Sequence, residues 1–446
     1  MLANRAIFAA VLLHLSRNSV SRCGQKATRR KPANARRCVG ATAGVFSRPL
    51  AGKLTYVSAS PSLIERIHAA GKPLVLAVTG GGSGAISGLL EVPGASGSVL
   101  EVVVPYASAT LADWLGGTPE QYCSERTARA MAMAAFERAR QLTDADPLSL
   151  RGIGATASLA TTRPKRGPHR IHVAWQSAEA TVVTSYSFPS ELSRADEEPV
   201  AARVIIDAVA EACGVERPQL GPTIRNSLKR REMRAQIEWT ELLLGRRQCV
   251  DVWPMGADST SRSSNREHST PLVLFPGAFN PLHSGHQRMA EVAADHCRRE
   301  VTFELSITNV DKPPLDFVEI ADRLRHFKSQ HVLLTRAPTF VEKAAIAPGC
   351  TFVVGVDTLV RIGDPVYYGN EPARRDAAIA ALTNQGCRFL VFGRMANGGF
   401  ETLSEVVVPP ALLAISDEVS ETQYREDISS TELRRASLDD DEQLRA

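Results

Sequence analysis

No apolar run in this sequence approaches the roughly 20 residues a membrane-spanning helix requires, so neither membrane insertion nor a membrane partner is expected. The eight cysteines, Cys23, Cys38, Cys123, Cys213, Cys249, Cys297, Cys350 and Cys387, contain no C-x-x-C pair and no metal-ligand spacing. Scattered single thiols exclude a disulfide framework and a zinc site, and they argue for a reducing compartment and against secretion. No protein-held metal is expected, and no internal repeat is visible. From Met1 to Ile64 there is no Asp or Glu, while Arg and Lys contribute +11. Because the whole chain carries only +4, everything after that stretch carries −7. A mildly acidic body offers no electrostatic footprint for nucleic acid.

What is present fits a globular protein of more than one domain. A length of 446 residues exceeds what one core absorbs, and a hydrophobic share of 44% with 22% charged is near average usage. Two domains of about 150 to 200 residues with connecting material are expected. Residues 1–53 read as a basic leader, disordered or targeting. Its opening, "MLANRAIFAAVLLHLSRNS", is similar to an organelle transit peptide or, with its short apolar centre, to a secretory signal. An over-extended start is the remaining reading, although no second Met occurs before Met131. The expected compartment is the cytoplasm, or an organelle matrix if the leader is a transit peptide.

Residues 54–214 alternate strand and helix patterns and are expected to form a layered α/β domain. Strands are expected at Pro73–Val78, at Leu100–Val104, around "HRIHVAWQ" and around "EATVVTSYSF". Helices are expected at Ser83–Leu90, in a long Ala-rich segment beginning at Thr118 and Pro119, and at "EEPVAARVIIDAVAEACG". "RGIGATASLATTRPKRG" reads as a loop. Residues 215–268 read as a charged helix, "IRNSLKRREMRAQIEWTELLLGRR", followed by a Ser/Thr-rich polar linker. From 269 to 446, "PLVLFPGAF", "EVTFELSIT", "VLLT", "TFVVGVD" and "CRFLVFGR" are short, nearly continuous apolar runs between helical stretches. That pattern predicts a doubly wound parallel sheet, Rossmann-like in its layers.

The chemistry concentrates at "LVLFPGAFNPLHSGHQRM". A strand running through a tight turn into a helix aims backbone N–H groups and a helix dipole at an anion, and Gly277 and Gly285 allow close approach. His283 and His286 stand at the helix entry, where an imidazolium can donate to a phosphate oxygen and balance charge on a leaving pyrophosphate. "GAFNPLHSGH" resembles the G-x-F-x-P-x-H-x-G-H signature of the nucleotidylyltransferase superfamily, within the adenylyltransferases that act on nicotinate and nicotinamide mononucleotide. "ISSTELRR", Ile428 to Arg435, resembles that family's second signature, I-S-S-T-x-x-R. The resemblance implies His283, His286 and Arg434 as catalytic residues, and Gly277, Phe279, Gly285, Ser429, Ser430, Thr431 and Lys312 as the ATP and phosphate site. It further implies Asn309, Asp357, Tyr367 and Arg394 around the acceptor, with Arg323 matching the family's Arg-led helix. Where the family usually carries a Trp to stack on the pyridine ring, this chain has only Tyr367 and Tyr368, either of which offers a π face.

The earlier half, from about Tyr56 to Gly214, resembles the C-terminal domain of the CinA family, known for nicotinamide mononucleotide deamidase activity. "AVTGGGSGAISGLLEVPGASGSVLEVVVPYASATLADWLG" and "LRGIGATASL" carry that likeness. The family's Ser nucleophile corresponds to Thr79, its S-N-E-x-K segment has become "ASATL", and its G-I-A-G-P loop reads "GIGAT", while Tyr106 and Gly80 persist. Thr79, Gly80, Tyr106 and Gly152 are this half's candidate site residues. A deamidase, a ligand-binding domain whose Gly80–Gly84 and Gly152–Thr156 loops hold phosphate, and a structural domain are the open readings. A Thr nucleophile needs a base that the matched positions do not supply.

The resemblance implies a homo-oligomeric nucleotidylyltransferase of small-molecule nucleotide substrates, moving AMP from ATP, with Mg²⁺, to a pyridine mononucleotide. Another phosphorylated acceptor, and a nucleotide sensor without turnover, are the alternatives.

Overall fold

The structure, a computed structural model, describes residues 61–162, 167–217, 222–253, 260–262, 271–328, 330–396 and 399–425. All belong to one compact unit, Tyr56–Ala446. None of its described helices is long and apolar enough to cross a membrane.

After helix α1 (Pro61–Ala69), the aliphatic run Leu74–Thr79 forms β1, buried at every position. Then come α2 (Gly84–Glu91), β2 (Val99–Val103), α3 (Ser108–Trp114) and α4 (Glu125–Leu142). The long helix therefore starts later than Thr118–Pro119, because Ser124 supplies the cap: its hydroxyl accepts from Thr127 N at 3.1 Å. Next is β3 (Arg151–Ser158), in the segment expected to be a loop. It pairs parallel with β1 along its length, and its glycines serve packing rather than turning. A Cβ at Gly152 would lie 2.2 Å from Ala132 O and from Phe136 N, and one at Gly154 would lie 2.4 Å from Ala128 O. With no side chains there, α4 lies directly on the strand, while Ile153 and Ala155 join the cluster on its other face.

β4 (Arg170–Gln176) and β5 (Ala180–Ser187) continue the sheet antiparallel, and α5 (Arg194–Ala212) covers it. After α6 (Pro222–Ser227) comes β6 (Leu228–Arg234), the outermost strand of a sheet ordered β2-β1-β3-β4-β5-β6. The segment expected as one charged helix is thus half strand. Pairing with β5 overrides the helical preference of Lys, Arg, Glu and Met, and exposed charges suit a sheet edge. The helical part is α7 (Ile237–Leu244), closed by Gly245 at φ 75°. Its buried Trp239 and Leu243 show that this stretch belongs to the core, as does β7 (Cys249–Trp253), which is followed by β8 (Thr260–Arg262).

The second sheet is built from β9 (Val273–Pro276), α8 (Ser284–Cys297), β10 (Val301–Ser306), α9 (Phe317–Leu324), β11 (Val332–Thr335), α10 (Phe340–Ile346), β12 (Thr351–Gly355) and α11 (Val356–Gly363). It continues through α12 (Pro372–Asn384), β13 (Arg388–Phe392), the small hairpin β14 (Arg394–Ala396) and β15 (Gly399–Glu401), α13 (Pro410–Leu413) and β16 (Ser416–Val419). The order is β16-β13-β12-β9-β10-β11-β7-β8. Strands β9 to β13 and β16 run parallel, and β7 returns antiparallel along β11. Counted from β9, the parallel part has the doubly wound order 3-2-1-4-5-6. The fold is α/β with two sheets, as expected. Met133 and Phe136 of α4 share a buried cluster with Trp239, Phe279 and Phe317, so the layers of the two sheets meet in one apolar core.

Candidate functional site

In an open parallel sheet, ligands bind beyond the carboxyl ends of the strands where the order reverses. Here that point lies between β9 and β12, which pair side by side while their chains depart to opposite flanks. The loop after β9 is Gly277–His283, and the chain after β12 turns at Gly355 into α11. His283 caps α8, with His286 in its first turn. The two rings stack with centroids 3.7 Å apart, and His283 N donates to His286 Nδ1 at 3.3 Å. That bond makes Nδ1 the acceptor and leaves the ring proton on Nε2. Burial, with His283 beside it, pulls the His286 imidazole down to about 3, so in the free protein it is a neutral donor rather than the expected imidazolium.

The rest of the loop holds this pair in place. Phe279, expected to touch ATP, is instead fully buried, with its ring edge-on to His286 at 5.2 Å and packed among Phe275, Phe303 and Phe327. It adopts φ 44°, a region sparsely used by residues with side chains, and its buried ring secures that conformation. Gly277 donates its N–H to Glu304 O at 3.0 Å, and a Cβ there would meet the Phe279 ring at 2.6 Å. Gly277 therefore packs directly on the Phe279 ring. At Gly285 a Cβ would press on His283 at 3.1 Å. Two supports come from outside the loop, of which Tyr424 had no sequence signal. Arg323 donates to Ala278 O at 3.0 Å, and Tyr424 donates to Gly285 O at 3.4 Å with its ring edge-on to Phe392.

Across the crevice, Asp357 and Arg394 form an ion pair at 3.1 Å at the ends of β12 and β13, so these two expected acceptor residues are together. Asn309 and Lys312 are exposed on the loop after β10, where Asn309 Oδ1 accepts from Asp311 N at 3.4 Å. Lys312 Cε lies where a Gly117 side chain would begin, 3.3 Å from its Cβ position. Tyr367 is exposed in the turn after α11, whereas Tyr368 donates to Ile362 O at 3.0 Å. Ser429, Ser430, Thr431 and Arg434 lie outside the described residues, beginning shortly after Tyr424. Among the described residues no three His, Cys, Asp or Glu side chains stand together to hold a metal ion.

The candidates of the first sheet are differently disposed. Thr79 is buried and donates its hydroxyl to Pro105 O at 3.0 Å, which is not the state of an activated nucleophile. Tyr106 is exposed. The Gly80–Gly84 loop, expected to cradle phosphate, is engaged from within: Glu198 Oε1 accepts from Gly82 N at 3.0 Å, Ser83 N at 3.1 Å and Ser83 Oγ at 3.0 Å. Arg194 donates to Gly80 O at 3.0 Å. Gly152–Thr156, the second expected phosphate loop, is paired within β3 and has no loop to offer.

Two partly buried histidines make stability depend on pH. Burial, opposed in part by Glu125, pulls His172 down to about 4, and its Nδ1 lies 2.7 Å from Ser185 Oγ. Both His172 and His286 fall below the unfolded value of 6.5, so between those pH values the unfolded chain binds the extra protons. Stability from these groups is present above about pH 6.5 and is lost as pH falls through 4 toward 3. Urea titrations near pH 5 should show a loss of about 1 to 3 kcal/mol per pH unit, and His172→Gln should flatten that slope.

Among curated proteins no match to this chain was found. Solved structures similar to it include a competence/damage-inducible protein CihA from Agrobacterium tumefaciens, 18% identical over 34% of this chain and 94% of that one, with a TM-score of 0.29. A CinA superfamily protein from Enterobacter cloacae is 18% identical over 38% of this chain and 98% of that one, with a TM-score of 0.28. One from Escherichia coli is 16% identical over 34% and 86%, also with a TM-score of 0.28. Residues 274–436, which begin in β9 and span the crevice and the second signature, match the family described as cytidylyltransferase-like, so the C-terminal part of this chain is similar to domains of the nucleotidylyltransferase superfamily.

Proposed function

We propose that this protein transfers AMP from ATP to a phosphorylated acceptor, a nicotinate or nicotinamide mononucleotide, and releases pyrophosphate. The observation that carries the reading is the stacked His283–His286 pair at the head of α8, set at the reversal point of the sheet. An acceptor phosphate oxygen attacks the α-phosphorus in line. The bond between the α-phosphorus and its bridging oxygen breaks, and pyrophosphate leaves with the electron pair. The acceptor is already an anion, so no general base is required, and rate comes from positioning and charge stabilisation. His286 Nε2–H and His283 serve as donors to the phosphate oxygens. Arg434, Ser430 and Thr431 are assigned to a second phosphate clamp, and Asp357 with Arg394 to the acceptor side. Magnesium is assigned as a companion of the triphosphate substrate, where it would offset charge on the leaving pyrophosphate.

The proposal does not extend to deamidation, because Thr79 is buried with its hydroxyl proton committed to Pro105. The first sheet is assigned a supporting role.

Pyrophosphate release measured with ATP or CTP, against nicotinate mononucleotide, nicotinamide mononucleotide, a pantetheine phosphate and a sugar alcohol phosphate, tests the assignment. Release with ATP and a pyridine mononucleotide is expected. Turnover with another pair would reassign the substrates, and binding of triphosphate without release from any pair would mark a sensor and end the enzymatic reading.

A further inference from the structure

We propose that Arg129, carried by α4 in the layer of the first sheet, is a positioning residue for the His283–His286 loop of the second. Its guanidinium donates to Asp316 Oδ1 at 2.6 Å and lies 3.5 Å from Glu319 Oε2. Glu319 Oε1 in turn accepts from Arg323 Nε at 3.1 Å and Nη2 at 2.9 Å. The remaining fork of Arg323 reaches Ala278 O at 3.0 Å, inside the loop that presents the histidine pair. All four charged side chains are buried, so water does not substitute for a missing partner and the chain of contacts is stiff.

Two further contacts fix the same segment from the same side. Thr181 Oγ1 of β5 accepts from Phe317 N at 3.0 Å, holding the first turn of α9. Gly116, after α3, approaches the Asp311 carbonyl so closely that a Cβ would stand 1.3 Å from it. The loop after β10 and the start of α9 are therefore set by residues that lie well over a hundred positions earlier in the chain than the ones they hold. A fork-shaped donor is what Asp316 and Glu319 together require, and Lys at position 129 would keep the charge without spanning both.

This inference rests on the proposed function for its kinetic arm only. Hydrogen exchange of the full-length protein provides the other arm. In Arg129→Gln, exchange at residues 277–286 should accelerate about tenfold or more while β4 and β12 keep their protection. Where turnover is measured, kcat should fall about ten- to a hundredfold with the acceptor KM nearly unchanged, and Arg129→Lys should recover part of the loss. If Arg129→Gln fails to fold, Arg129→Lys alone is compared with wild type by the same exchange measurement. Unchanged exchange at 277–286, or acceleration spread evenly over the molecule, overturns the inference. Absence of pyrophosphate release from wild type would instead sink the proposed function, and exchange would still decide the role of Arg129.

Discussion

His286→Ala should lower kcat by about a hundred- to a thousandfold, or ~2.7 to 4 kcal/mol of transition-state stabilisation, while the acceptor KM moves little. The expectation follows from how the ring is held. Its Nδ1 is occupied by His283 N, which fixes the tautomer, and Phe279 and Phe275 meet it edge-on with centroids 5.2 and 6.0 Å away. A donor fixed in this way needs no reorganisation when charge develops on the leaving pyrophosphate. Steady-state pyrophosphate release, read beside thermal unfolding to confirm that the variant is folded, makes the comparison. A kcat within twofold of wild type would remove the ring from the chemistry.

Gly152→Ala should cost about 3 kcal/mol or more. The new methyl would stand 2.2 Å from Ala132 O and Phe136 N, both backbone atoms of α4, so relief requires moving the whole helix. Gly88→Ala is the matched control. That residue sits in α2 with nothing within 4 Å of the added carbon, and the substitution should stabilise by up to about 1 kcal/mol. Denaturant unfolding of the two variants distinguishes a packing glycine from a merely permitted one. Equal stabilities would mean that α4 does not lie on β3 as described.

The parallel strands of the second sheet were legible because strands buried on both faces are written as nearly continuous apolar runs, and β9 to β13 are, apart from Thr302 and Glu304 in β10. The histidine pair was legible because its neighbours are close in sequence. β3 was not, since Gly152 and Gly154 read as turn residues unless one knows that a helix lies against them. β6 was hidden by its charges, which suit an edge strand as well as a solvated helix. Arg129 and Tyr424, which steady the site, were illegible for a common reason: they act on partners brought near only by folding, as does Arg323, which the sequence marked without its partner. Phe279's core position was not legible either. Its aromatic character marks a ligand contact or a core anchor equally well, and burial alone decides.

β7 gives the last consequence. Because Cys249–Trp253 pairs with β11 and contributes Asp251 to His331 at 2.7 Å, the neighbour that covers β11 in the second sheet is made by chain that precedes the stretch 254–270. Severing the molecule at that stretch would not liberate a self-sufficient second domain. It would strip a neighbour from β11 and bare a row of hydrogen-bonding groups that recruits stray strands. The two halves are knitted rather than strung together, and an evolutionary exchange of either would have to carry this ribbon with it.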